Sequence, residues 1–396
     1  MKKIFFTLIS TLLILASLFS VISLVGCNSE TVDETEPATE KPTSAPTEKP
    51  TAKPTEKPTE SKKDNDKLKN KTYDLVDDWK YFKLIGRMNE VDGGMSCDFT
   101  ASGIEFEGIM SGAVTLTLSC DRATYFTVYI DGVRTEERLY ADSTTSYITL
   151  ATFEGEESHH IRVLKQTEPQ WSLSVLKEVN LLGKLNDAPA RKDKYIEIIG
   201  DSITCGYGNL TQNGAANAGT ALYEDGTKAY SFMTAEALGA DYSIVGCSGI
   251  GIDKGWTDFS ESDFYPKASF YRDRNGADYE FVRVPDLVII NLGTNDQSRG
   301  STEDDFKAGV RALINYIRDS YGKDVPIVWA YNMMGNGRFD WTKTVLEDMG
   351  GEDKGLYYVQ LVEDHDGGAG HPDLEAQAKA AEDLTKFIQD KEILAD

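Results

Sequence analysis

The sequence predicts two folded domains on a tether: an all-β jelly-roll sandwich over residues 73–189, then a doubly wound, flavodoxin-like α/β/α domain over 190–396. Three observations carry this. Residues 73–186 alternate apolar and polar side chains in short runs broken by turn signals, the period of half-buried strands. After Lys194 apolar runs alternate with helical spacing in the order β-α-β-α-β, which argues a parallel sheet with right-handed crossovers. The 396 residues are 40 % hydrophobic, enough to fill two cores.

In chain order, residues 1–27 read as an export signal. Lys2 and Lys3 precede an uncharged apolar run ending Leu24-Val25-Gly26-Cys27, a cationic start followed by an apolar stretch. The end of the run resembles the lipobox of bacterial lipoproteins, which implies a lipid anchor at Cys27. The alternative is an uncleaved membrane anchor, since about 20 apolar residues span a bilayer. Either way the rest of the chain is expected to be extracytoplasmic, secreted or held at the bacterial cell surface. Residues 28–72 read as a disordered linker: Thr-Glu-Lys-Pro recurs from Thr39, Thr47 and Thr55, and there is little apolar surface to bury.

The sandwich strands are expected at 114–118, 125–130, 147–150 and 160–164, with turns at Asp131-Gly132 and Glu154-Gly155-Glu156. In the second domain the strands are expected at 195–199, 242–245, 286–292, 325–331 and 357–361. Helices are expected at 231–238, 303–321 and 372–391. In such a fold the site lies at the carboxyl ends of the strands. Those ends carry Gly200-Asp201-Ser202, then Gly246-Cys247-Ser248-Gly249, then Gly293-Thr294-Asn295-Asp296, and His371-Pro372 opens the last helix.

These groups form a chemistry. A serine hydroxyl such as Ser202 is a poor nucleophile without a base in reach. Of the four histidines, His159 and His160 fall in the sandwich, which leaves His365 and His371. His371 is preferred, because a helix start carries partial positive charge that keeps an imidazole neutral. The backbone N–H groups of Ser202 and Gly249 and the amide of Asn295 are the expected oxyanion donors.

Other motifs fail. Ser248 lacks the final glycine of a nucleophile elbow, since residue 250 is Ile. Gly249-Ile250-Gly251 lacks the third glycine of a dinucleotide loop, and no P-loop lysine or zinc or calcium loop is present. No cofactor and no metal are expected. His159 and His160 are adjacent in a strand and so face opposite ways. Cys97, Cys120, Cys205 and Cys247 read as buried small hydrophobes, or Cys205 and Cys247 as a disulfide bracing the site. The net charge of −24 argues against nucleic acid as a partner.

Ser202, Gly249, Asn295 and His371, in this order at strand ends, resemble the SGNH or GDSL-type hydrolases. That family places an Asp three residues before its His, where this chain has Gly368. Either Asp366 orients His371, or a main-chain carbonyl of Gly368 or Ala369 does so and the machinery is a Ser–His dyad. Gly86-Arg87, Tyr125–Gly132, Ile161–Glu168 and Tyr331-Asn332-Met333-Met334-Gly335 extend the resemblance to carbohydrate esterase family two. The resemblance implies removal of O-acetyl groups from acetylated plant polysaccharides or oligosaccharides such as xylan and mannan, through an acyl-Ser202 intermediate and without metal. Trp256, Trp329 and Trp341 lie near the strand ends; Trp341, after the Gly335-Asn336-Gly337 loop, is preferred as a platform for a sugar ring, with a core role as its alternative. Rival functions are a non-catalytic carbohydrate-binding surface protein on a decayed hydrolase scaffold, and a short-chain lipase or thioesterase.

Overall fold

The computed structural model of the chain describes residues 67–322 and 325–394; the export signal, Cys27 and most of the linker lie outside them. The sandwich is built from β1 (Asn70–Asp74), β2 (Lys83–Ile85), β3 (Glu90–Val91), β4 (Gly94–Ser96), β5 (Gly103–Cys120), β6 (Thr124–Ile130), β7 (Val133–Arg134), β8 (Leu139–Ala141), β9 (Tyr147–Lys165) and β10 (Ser174–Leu185). They form one ten-stranded sheet with β5 flanked by β9 and β10. At ~3.3 Å per residue, an 18-residue strand such as β5 would be about 60 Å long if straight. Irregularities between Met110 and Gly112 and between Val114 and Thr115 let it bend. The sheet thereby curls around a core that includes Phe106, Leu116, Phe126, Ile161 and Val179.

Two expectations are corrected here. Residues 70–72 belong to β1 rather than to the linker, pairing with β10 at Asn180, Leu181 and Leu182. The Glu154-Gly155-Glu156 stretch is not a turn, because β9 runs through it as one 19-residue strand. Glu154, Gly155 and Glu156 form an irregularity in that strand: the register passes from Phe153 opposite Gly112 to Glu157 opposite Met110 and leaves the three without partners of their own.

The second domain contains β11 (Tyr195–Gly200), α1 (Ser202–Cys205), α2 (Tyr230–Ala237), β12 (Asp241–Gly246), α3 (Glu261–Phe264), β13 (Leu287–Asn291), α4 (Thr294–Arg299), α5 (Glu303–Tyr321), β14 (Ile327–Tyr331), α6 (Phe339–Asp348), β15 (Leu356–Gln360) and α7 (Leu374–Asp390). The sheet order β12-β11-β13-β14-β15 is parallel throughout. This is the flavodoxin-like order, with its crevice where the chain leaves β11 and β13. β13 is buried along its whole length, as a strand covered on both faces must be. α5 starts where the Thr302 side chain accepts the Asp305 N–H, and it buries Phe306, Val310, Leu313, Ile314 and Ile317 on one face.

The two domains share buried surface. Ile85, Ala101, Tyr129 and Leu164 of the sandwich lie in the same apolar cluster as Ile196, Ile198, Phe232 and Tyr242. Glu197, in the middle of β11, is fully buried and meets Arg87 of the sandwich at 3.0 Å. The hydroxyls of Tyr265 and Tyr321 also donate to Glu197, at 2.5 and 3.0 Å.

Candidate active site

Ser202 stands at the first position of α1, directly after β11. The turn depends on Gly200, where a Cβ would come within 2.0 Å of Thr204 Oγ1. Asp201 caps the helix by accepting the Ile203 N–H at 3.0 Å. Burial, together with the nearby carboxylates of Asp296 and Glu168, pushes the Asp201 carboxyl up to about 7.

His371 Nε2 lies 2.8 Å from Ser202 Oγ. The ring is brought there by a loop closed on itself: the Gly367 N–H donates to the His371 carbonyl at 2.8 Å, and the His371 N–H returns to Gly368 O at 3.3 Å. Tyr207 packs against the imidazole with centroids 4.6 Å apart, and Trp171 of the sandwich stacks on Tyr207. Burial lowers the His371 pKa to about 4, with the carbonyls of Ala369 and Gly368 opposing the shift. The imidazole is therefore neutral and basic above that pH. Burial supplies this neutrality, not the helix start expected from the sequence; α7 begins only at Leu374, behind its own cap Asp373.

Among the described residues, no carboxylate hydrogen-bonds to His371. Its Nδ1 is buried without an acceptor in full hydrogen-bonding geometry, and the nearby main-chain carbonyls are those that act on its titration. Asp366 is exposed; its carbonyl accepts the Asn213 N–H at 2.7 Å and its own N–H donates to Asp364 at 3.1 Å. An Asp at position 368 has no room, since a Cβ there would meet Thr211 Cγ2 at 2.6 Å and Ala218 Cβ at 3.0 Å. His365 is exposed and pairs with Glu363.

Gly249 lies in the loop after β12 with φ +80, a conformation that favours glycine. Asn295, in the first turn of α4, donates through Nδ2 to Ile250 O at 2.9 Å and to Asp201 Oδ2 at 3.1 Å. Both amide hydrogens thus already have acceptors, and an oxyanion would share one of them. Asp296 beside it accepts the N–H groups of Ile252, Asp253 and Lys254 at 2.8–2.9 Å and shapes the following loop.

Ser202, Gly249, Asn295 and His371 line one cleft of about 600 Å³. Its walls include Gln170 from the sandwich and Tyr207, Trp256, Tyr271, Arg274 and Met334. Trp341 is not among them. It packs half-buried against Phe306 with the Arg338 guanidinium over its ring, and Trp329 is buried in the core. Trp256 is the tryptophan of the cleft, 67 % exposed, with its Nε1 held by Ser298 and Arg299 against its ring. Its place among exposed polar residues gave the sequence no reason to prefer it. All four cysteines of the described residues are buried free thiols, so Cys205 and Cys247 form no brace.

A serine leaving the first strand and a histidine entering the last helix meet above the switch point of this sheet, and that makes the C-terminal half a GDSL-type hydrolase domain. Comparison with known proteins carries the assignment to both halves. Residues 198–384 match the GDSL-like lipase/acylhydrolase family, and residues 84–189 match the carbohydrate esterase 2 N-terminal domain. The chain therefore carries a GDSL-like hydrolase domain behind a carbohydrate esterase 2 N-terminal domain. It is 30 % identical over 329 residues to the cellulase/esterase CelE of Acetivibrio thermocellus, a match covering 77 % of this chain and 39 % of that protein. It thus spans about two fifths of that curated relative. An acetylxylan esterase / glucomannan deacetylase of Cellvibrio japonicus is 24 % identical over 241 residues, covering 59 % of this chain and 66 % of the relative. Among solved structures, a family two carbohydrate esterase from Clostridium thermocellum in complex with cellohexaose is 28 % identical, with a TM-score of 0.69, covering 78 % of this chain and 98 % of that one. An acetyl xylan esterase from the rumen bacterium Butyrivibrio proteoclasticus shares the fold, with a TM-score of 0.72 at 19 % identity, covering 83 % of this chain and all of that one.

Proposed function

We propose that the protein is an extracytoplasmic serine esterase that removes O-acetyl groups from plant cell-wall polysaccharides or oligosaccharides such as xylan and glucomannan. The observation that carries the proposal is the 2.8 Å contact between Ser202 Oγ and a neutral His371 Nε2 at the floor of an open cleft. His371 takes the serine proton as Oγ attacks the acetyl carbonyl. The oxyanion is met by the N–H groups of Ser202 and Gly249 and by one hydrogen of the Asn295 amide. His371 then protonates the departing sugar oxygen, leaving acetyl-Ser202. A water molecule, deprotonated by the same ring, releases acetate and restores the serine.

With no carboxylate on His371, the catalytic unit is a Ser–His dyad oriented by main-chain carbonyls and by the packing of Tyr207. The exposed Trp256 ring supplies a stacking surface for a sugar beside the nucleophile. The related esterases named for acetylxylan and glucomannan support the substrate class, and the Lys2-to-Cys27 segment supports a lipid-anchored location. The test is acetate release from acetylated xylan and acetylated glucomannan by the chain and its Ser202→Ala variant. Release by the unaltered chain alone is expected. Equal release by both would place the chemistry elsewhere, and none from either, with aryl acetates untouched, would favour a binding protein on the same scaffold.

A further inference from the structure

The strand β9 ends at Lys165, at the boundary with the catalytic domain. Beyond Lys165 the chain continues as Gln166-Thr167-Glu168 into the other domain, where the Gly226 N–H donates to Gln166 O at 2.8 Å. Glu168 is fully buried. Its Oε2 accepts the backbone N–H of Ser248 at 2.5 Å, and its Oε1 accepts the Ser248 hydroxyl. Ser248 is the residue before Gly249.

We infer that Glu168 is a positioning residue of the esterase site: the sandwich supplies the carboxylate that fixes the loop presenting the Gly249 N–H to the oxyanion. The inference rests on the esterase reading above and adds to it a part for the first domain. Several ties hold this loop from within the catalytic domain: the Cys247 N–H donates to Gly200 O at 3.2 Å, the Ile250 N–H to Cys247 O at 3.3 Å and the Trp256 N–H to Gly249 O at 2.7 Å, and Asn295 Nδ2 donates to Ile250 O at 2.9 Å. None of these takes the N–H of Ser248. At Ser248, the residue preceding Gly249, both donors go to Glu168.

Glu168 is itself held by a built environment. Its N–H donates to Glu224 Oε1 at 2.7 Å, and Glu224 Oε2 accepts Trp171 Nε1 at 2.7 Å. The buried Lys165 ammonium donates to the carbonyls of Asp98, Thr167 and Glu168 at 2.8, 2.7 and 3.3 Å. Lys165 thus pins the segment carrying Glu168 and sets a cation beside two buried acids. Burial pushes the carboxyls of both Glu168 and Glu224 upward. Such a costly arrangement is kept only where its geometry is closely fixed. A simple staple between domains would need no carboxylate aimed at the backbone beside an oxyanion donor.

The experiment measures kcat and KM on 4-nitrophenyl acetate for the full chain and for Glu168→Ala, Glu168→Asp and Glu168→Gln, with Ser202→Ala as control. Activity of the unaltered chain that disappears in Ser202→Ala establishes the esterase reading independently. Loss of an oxyanion donor costs about 10²–10³ in kcat, so Glu168→Ala is expected to lower kcat about 10²-fold with KM nearly unchanged. Glu168→Asp keeps the charge facing Lys165 but is too short to reach Ser248, and it should lose more than about tenfold. Glu168→Gln retains an acceptor for the Ser248 N–H and should recover most of the loss. Near-UV circular dichroism checks folding, and if Glu168→Ala does not fold the aspartate and glutamine variants decide. Folded Glu168→Asp with unaltered kcat, or glutamine as damaging as aspartate, would overturn the inference while leaving the esterase reading in place. An unaltered chain inactive on every acetyl ester would instead overturn both.

Discussion

Replacing Asp366 by Asn is expected to leave kcat on 4-nitrophenyl acetate within about twofold of the unaltered enzyme, some 0.4 kcal/mol of barrier. The structure gives the reason. The hydrogen bonds of Asp366 run through its main chain, to Asn213 and Asp364, and an asparagine preserves both. A carboxylate that orients a catalytic imidazole is worth about 10⁴ in kcat, or roughly 5 kcal/mol. The two outcomes are therefore far apart. His371→Ala, by contrast, removes the base and should cost more than about 10³-fold. The pH profile gives a second readout. A carboxylate partner would hold the imidazolium form and raise its pKa, whereas burial holds His371 at about 4. The base is the neutral form, so kcat/KM should fall only as the pH drops toward 4, and Asp366→Asn should not move that limb. An acid limb above about pH 6 that shifts in Asp366→Asn, together with a loss above about tenfold, would refute the dyad.

Trp256→Ala should raise KM for acetylated xylo-oligosaccharides about tenfold through lost stacking and leave turnover of 4-nitrophenyl acetate nearly unaltered. Trp341→Ala should instead lower thermal stability by about 2 kcal/mol, with KM unaffected in the same assays. Arg87→Ala leaves Glu197 buried without its cation and should cost about 3–5 kcal/mol, read as a drop of about 10 °C in Tm; adding Glu197→Leu should recover part of it. For Glu105, burial opposes ionisation, but His160 and Lys83 prevail and lower its pKa to about 2. Its folded value lies below the unfolded one, so its stabilisation is complete above pH 4.5 and lost as pH falls toward 2. The stability gap between the unaltered protein and Glu105→Gln, on the order of 3 kcal/mol at pH 7, should narrow steadily in urea unfolding between pH 5 and pH 3.

What the sequence made legible was local. α5 is readable from the 3.6-residue spacing of Phe306, Val310, Leu313 and Ile317, and β13 from its unbroken apolar run. Ser202, Gly249, Asn295 and His371 could be found because each sits at the end of an element that announces itself, and strand ends converge in this fold. The contacts that were missed join residues far apart in the chain. Gly155 reads as a turn until the partner strand β5 is seen to continue past it. Trp256 and Trp341 are alike in sequence, and only the packing of Phe306 on one and open cleft beside the other separates them. Glu168 stands at the end of a strand pattern with nothing nearby to show that its partner lies eighty residues on, at Ser248. The absence of an Asp three residues before His371 was visible, but the crowding of Gly368 by Thr211 and Ala218 was not.

The apolar cluster spanning Leu164 and Ile198, with the Arg87–Glu197 pair beneath it, has a bearing on how such a chain melts and how its gene can be recombined. Separated at the segment near Asn186, the N-terminal piece would carry an unneutralised guanidinium and a naked greasy flank, and the C-terminal piece the matching carboxylate in the middle of β11. Neither piece is then a self-sufficient folding unit. Calorimetry should register one endotherm in place of two, and transfer of the coding sequence between genomes preserves a foldable product only when both halves travel as a single cassette.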